Sequence, residues 1–61
     1  MWNDIEEKQM PLETFILVKH KYGIEGIHFF HAKWSYWYSG NIVAIATLKS
    51  ITHWLNPKEI I

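Results

Sequence analysis

The chain predicts an all-β or β-dominated fold, a small antiparallel sheet of four or five strands. Three observations carry this reading. Runs rich in β-branched and aromatic residues recur as "TFILVKHKY", "IHFFH" and "WSYWYS", residue types that suit a pleated, half-buried surface. Turn-forming stretches, "GIEG" and "SGN", stand between them. A length of 61 residues allows one domain, with residues 1–13 as a lead-in, 14–55 as the sheet and 56–61 as a tail.

Taken in order, "MWNDIEEKQMPLE" is acidic and weakly periodic. Asn3 or Asp4 is placed to cap a single turn whose first positions hold Glu6 and Glu7. Pro11 stops it, and Trp2 is expected to fold back onto the domain. Thr14–Tyr22 reads as the first strand, Gly23–Gly26 as a turn and Ile27–His31 as the returning strand. "HAK" makes a second turn and Trp34–Ser39 a third strand. The tight turn Ser39–Asn41 follows.

Residues 42–55 are ambiguous. Ile42, Ile45, Leu48, Ile51 and Leu55 fall near helical spacing, which leaves an α+β fold as the alternative. The β-branched clusters Ile42–Ile45 and Ser50–Trp54 favour two strands, or one broken near Lys49–Ser50. In a closing strand, Ile51 and His53 would share one face and Thr52 and Trp54 the other, with Trp54 on the core against Trp2.

Composition narrows the function classes. Apolar residues make up 49% of the chain and aromatics 16%, with four tryptophans. A core this small is hard put to hide them all, so self-association into a homodimer or higher oligomer is expected. There is no cysteine, which removes disulfides and thiolate chemistry. Charge is balanced and arginine is absent, so duplex DNA is a poor partner. No basic and apolar leader opens the chain, and the strongest apolar run, Ile42–Leu48, is too short to cross a bilayer. A cytoplasmic protein is expected, with no membrane partner.

The four histidines are numerous for this length. His28 and His31 point to opposite faces if they lie on a strand, so they do not chelate together. Hairpin register decides another pair. If Tyr22 opposes Gly26, His20 faces His28; one residue of slip puts His20 against Phe29 instead. His20 and His28 are therefore weak metal candidates, and no metal or cofactor is expected. Carboxylates are scattered, and Ser50 near His53 lacks the context of an activated nucleophile. No enzymatic activity is expected.

"WSYWYS" is the more informative stretch. On a strand, Trp34, Tyr36 and Tyr38 share one face, while Ser35, Trp37 and Ser39 share the other. One face meets the core, and Trp37 between two serines would be free to stack on a nucleobase or insert into a partner. Trp34, Tyr36, Trp37 and His53 are the candidate walls of a binding site. Lys19, Lys21 and Lys33 are its candidate phosphate partners.

The ends of the chain carry a likeness. Trp2 with Ile5, Pro11 with Thr14, "FILVKH", Trp34 with Trp37, and Thr52-His53-Trp54 before Pro57 follow a W…P…THW-x-x-P pattern. In this the chain resembles the phage and prophage family called domain of unknown function 551. It departs from that pattern at Leu12-Glu13, where the family has Asp-Gly, and at Leu55-Asn56. The resemblance implies a small β-rich phage or prophage accessory protein, and it carries no catalytic residues with it. In its most concrete form the expectation is a counter-defence protein in the host cytoplasm that sequesters a host immune factor or a nucleotide-like signal. A protein–protein inhibitor of a host enzyme and a structural or assembly component of a virion are the alternatives.

Overall fold

A computed structural model describes residues 1–59; of the expected tail, Ile60 and Ile61 lie outside the described residues. Five strands form one antiparallel sheet: β1 Asn3–Asp4, β2 Ile16–His20, β3 Gly23–Phe30, β4 Lys33–Tyr36 and β5 His53–Leu55. Their order across the sheet is β1-β5-β2-β3-β4. Consecutive hairpins build β2, β3 and β4. A crossover then returns the chain to insert β5 between β1 and β2, so the two ends of the sequence meet beside its middle.

Cross-strand pairing sorts the side chains into two faces. Ile16 pairs with Ile27, which pairs with Tyr36, and Val18 pairs with Trp54. These residues share the first face, and there Ile16, Val18, Ile27 and Trp54 form the core with Val43 and Ile51. Ile5, Met10, Trp34, Tyr36 and Leu48 pack around it. Each fully buried Ile or Val stabilises the fold by roughly 1.5–3 kcal/mol. The lid over this face is the 41–51 crossover together with the turn after β1.

That turn is the one expected at the N-terminus. Asp4 Oδ1 accepts the Glu6 N–H at 2.8 Å, and the Asp4 carbonyl accepts from Glu7 and Lys8, both at 3.0 Å. The lead-in also contributes a strand, β1, which the sequence pattern did not signal. Two residues carry too little periodicity to announce themselves.

The first hairpin turns earlier than expected. Lys21–Tyr22 form the loop, and the GIEG stretch lies inside β3. His20 therefore opposes Gly23, and neither His28 nor Phe29. Phe15 supplies the reason. An ideal Cβ on Gly26 would sit 2.5 Å from Phe15 Cε2, so the glycine is needed as the floor beneath a ring rather than as a turn residue. The β2 strand is also shorter than Thr14–Tyr22, because residues 12–14 bend away from the sheet.

The second turn, His31–Ala32, holds φ of 51° and 62°. Positive φ at both central residues is the backbone of a tight hairpin turn that matches strand twist. After it β4 ends at Tyr36, short of the expected Ser39. Tyr36 N–H donates to the Asn41 carbonyl (2.8 Å) and Val43 N–H to the Trp34 carbonyl (2.9 Å). The crossover thereby covers the outer edge of β4, where an open strand would invite association.

Residues 42–55 are neither two strands nor one helix. Ile42 makes a single bridge to Ser35, α1 spans Ile45–Lys49, and β5 follows. What stops at Lys49–Ser50 is this short helix and not the strand that was expected to break there: Ser50 Oγ donates to the Thr47 carbonyl at 2.9 Å at its end. Because β5 begins at His53, its alternation does not reach back to Ile51. Ile51 is buried in the core beside Trp54. Trp54 is core, as expected, but Asn3 opposes it across the ladder and Trp2 falls on the other face.

Candidate functional site

The second face of the sheet carries Leu17, Lys19, Gly26, His28, Ser35, His53 and Leu55, as the same pairings require. It is only partly covered. Phe15, the residue before β2, lays its ring across Gly26, and the Trp37 ring packs on Phe15 with centroids 5.0 Å apart. Trp37 is anchored through its backbone, since its N–H donates to the Gly26 carbonyl at 3.0 Å. Its side chain is nevertheless 60% exposed. A fixed and exposed tryptophan is the chief feature of this surface.

Trp37 and Phe15 form one wall of an open groove of about 440 Å³. His28 and Phe30 line it too, their rings stacked at 5.6 Å with 5° between planes. Phe30 is 54% exposed. Leu12 adds to the apolar lining, while Glu13 and Lys58 bring one charge of each sign. The groove exists because the chain before Ile16 leaves the plane of the sheet while β3 runs on to Phe30. Its size is at the lower end of the range for small-molecule clefts, and its aromatic lining suits stacking and apolar insertion.

A second hollow of about 480 Å³ lies over the end of β5, with the charged residues Asp4, Glu6 and Lys49 and the His53 imidazole on its walls. Asp4 stands directly opposite His53 in the β1–β5 ladder, and Lys19 opposite His53 on the far side. A carboxylate, an imidazole and an ammonium thus line up across three strands. His53 Nδ1 lies 2.9 Å from Thr52 Oγ1. The Asp4–His53 pairing joins residues 49 apart in the chain, which local spacing had no way to show. Among the described residues no group of three or more His, Asp or Glu side chains is arranged to hold a metal ion.

The residues singled out from the sequence do not converge on one place. Trp34 and Tyr36 lie half-buried against the core, Trp34 edge-on to Phe29 at 5.3 Å. Trp37 stands on the aromatic groove and His53 on the second hollow. Lys19 reaches over the Trp2 ring (4.5 Å), Lys21 over Tyr22 (5.5 Å), and Lys33 is exposed opposite Phe30. The serines do not flank Trp37 as free hydroxyls: Ser35 is buried, and Ser39 Oγ accepts the Asn41 N–H at 3.2 Å.

The two weak metal candidates are apart as well. His20 Nδ1 accepts the Tyr22 N–H at 3.1 Å, while its Nε2 is buried with no partner among the described residues. His28 sits across from Ser35 in the aromatic groove. Sequence reasoning missed Phe15, His28 and Phe30 as groove residues. The signal for Phe15 was weak, an aromatic just before a strand and a glycine later in the chain for it to rest on, and His28 and Phe30 join it only through the register of β3.

At the other end of β3, the Tyr38 phenol is pushed above its usual range, first by desolvation and then by the negative charge of Glu25. No protein-family model matches the chain, no characterised protein matches it, and no solved structure does. No helix among the described residues is long and apolar enough to cross a membrane.

Proposed function

We propose that this chain is a small non-enzymatic binding protein that acts by occupying another protein through the aromatic groove. The observation that carries the reading is Trp37, 60% exposed yet held by its backbone to Gly26 and by its ring to Phe15. Rigid, exposed aromatics lose little conformational freedom on binding and dominate protein interfaces. The phage or prophage setting rests on the terminal Thr52-His53-Trp54…Pro57 likeness, and in that setting the partner is a host enzyme or immune factor in the host cytoplasm.

Sequestration of a nucleotide-like signal is the second reading. The same groove supports it through stacking on Trp37 or Phe30. It is the weaker of the two, because Lys58 is the lysine that lines the groove, beside Glu13, while Lys19, Lys21 and Lys33 stand elsewhere. Self-association belongs to either reading, since Ile24, Tyr38, Ile42 and Ile45 also expose large apolar side chains.

Native mass spectrometry after purification from host lysate tests the proposal, with Trp37→Ala run in parallel. The expected result is a protein partner in fixed stoichiometry with the natural chain and its loss from the variant. A retained ligand of nucleotide mass would favour the second reading. A partner retained equally by both would remove the groove from the argument.

A further inference from the structure

The groove contains a gap in the backbone ladder. Trp37 N–H donates to the Gly26 carbonyl, so the main-chain groups of Gly26 face β4. Antiparallel alternation then turns those of Ile27 and Phe29 the other way, toward β2. Ile27 finds its partner in Ile16. The next rung would join Phe29 to Thr14, and it is not made: β2 starts at Ile16 and residues 12–14 bend off the sheet. Among the described residues nothing bonds to the N–H or the C=O of Phe29. Phe29 itself lines the groove, so by the same alternation both groups are turned to the side where the groove lies.

A main-chain donor and acceptor side by side on a strand edge ask for another backbone, since an extended segment satisfies both at once. We infer that the partner engages this chain by adding a short extended strand to β3 at Phe29. The inference rests on the reading of the groove as a protein-binding surface and names its mode. The residue paired with Phe29 directs its side chain to the core face, and its two neighbours direct theirs onto the wall of Phe15, His28, Phe30 and Trp37. The occupant is thus an extended segment with apolar residues two apart. It is uncharged, because Glu13 and Lys58 at the groove already balance. It is also short in its pairing, because Ile16 closes the lane at one end.

A random decapeptide display library, selected on the natural chain and counter-selected on Trp37→Ala, supplies the probe. Selected peptides are expected to share apolar residues at alternate positions. On binding, exchange of the Phe29 amide with solvent should slow, while that of Ile27 stays as it was. N-methylation of the peptide's middle residue, which faces Phe29, should weaken binding about tenfold, the cost of one lost hydrogen bond. The same change on the flanking residues should cost far less. Peptides that bind with Phe29 exchange unchanged, or that tolerate methylation at every position, would overturn strand addition while leaving the protein-binding reading intact. An empty selection would also overturn it, and the co-purification of a partner from lysate would then judge the groove separately.

Discussion

Trp54→Phe is the substitution whose consequence the structure sets most tightly. The indole is 3% exposed, and its Nε1–H donates to the Lys8 carbonyl at 2.8 Å. That bond ties the turn after β1 to the central strands, 46 residues apart in the chain. Phenylalanine keeps most of the apolar packing but removes the donor and part of the ring. The lost bond costs about 1 kcal/mol. The residual cavity adds about 1–2 kcal/mol. Together, at about 2–3 kcal/mol, they approach the lower end of the stability of a domain this size, about 3–9 kcal/mol at typical values per residue.

Urea unfolding provides the assay. With a slope near 1 kcal/mol/M, the midpoint should fall by about 2–3 M. Hydrogen exchange should report the order of events. The Glu7 and Lys8 amides, both bonded to the Asp4 carbonyl at 3.0 Å, should lose protection before the amides of β2 and β3. Trp37→Phe is the control, because an exposed ring contributes within about 0.5 kcal/mol. A Trp54→Phe midpoint within about 0.5 M of the natural chain, or an equal drop in Trp37→Phe, would refute the reasoning that the buried Trp54 ring and its bond to Lys8 hold the turn after β1 to the sheet.

Three further outcomes are expected. Replacing His31–Ala32 by Asn-Gly (H31N with A32G) should raise stability by about 1–2 kcal/mol in the same denaturation assay, because both positions hold positive φ that β-carbon-bearing residues resist. Gly26→Val should drive the Phe15 ring from its seat, visible as a change in Trp37 fluorescence, since Trp37 rests on that ring. Glu25→Gln should bring the raised Tyr38 phenol back toward its ordinary value in an ultraviolet titration. In the natural chain that interaction supports folding below the unfolded phenol's pKa near 10 and is lost as pH climbs through the higher folded value.

Much of the sheet was legible along the chain. The strands around Leu17, Ile27 and Trp34 announced themselves through β-branched and aromatic runs, and the turn at His31–Lys33 appeared where the pattern breaks. The hairpin register did not, because Gly26 reads locally as a turn residue. Only the ring of Phe15, which has to lie somewhere, turns it into strand. For residues 42–55 the local signals conflicted. The outcome followed from topology: the chain has to cross from the edge at β4 to the middle at β5, and a short helix spans that distance over the core.

The same division runs through the candidate sites. Trp37 could be picked out from its neighbours in the chain, as a tryptophan past the end of a strand with an unclaimed face. The aromatic groove around it, the open rung at Phe29 and the Asp4–His53 pairing could not, because each joins segments that meet only in the folded sheet. Composition and local pattern determine which residues favour strand and which apolar surface must be hidden. Which residues face one another is decided by long-range pairing, where burial on one face selects a register and a single slip would exchange the two faces.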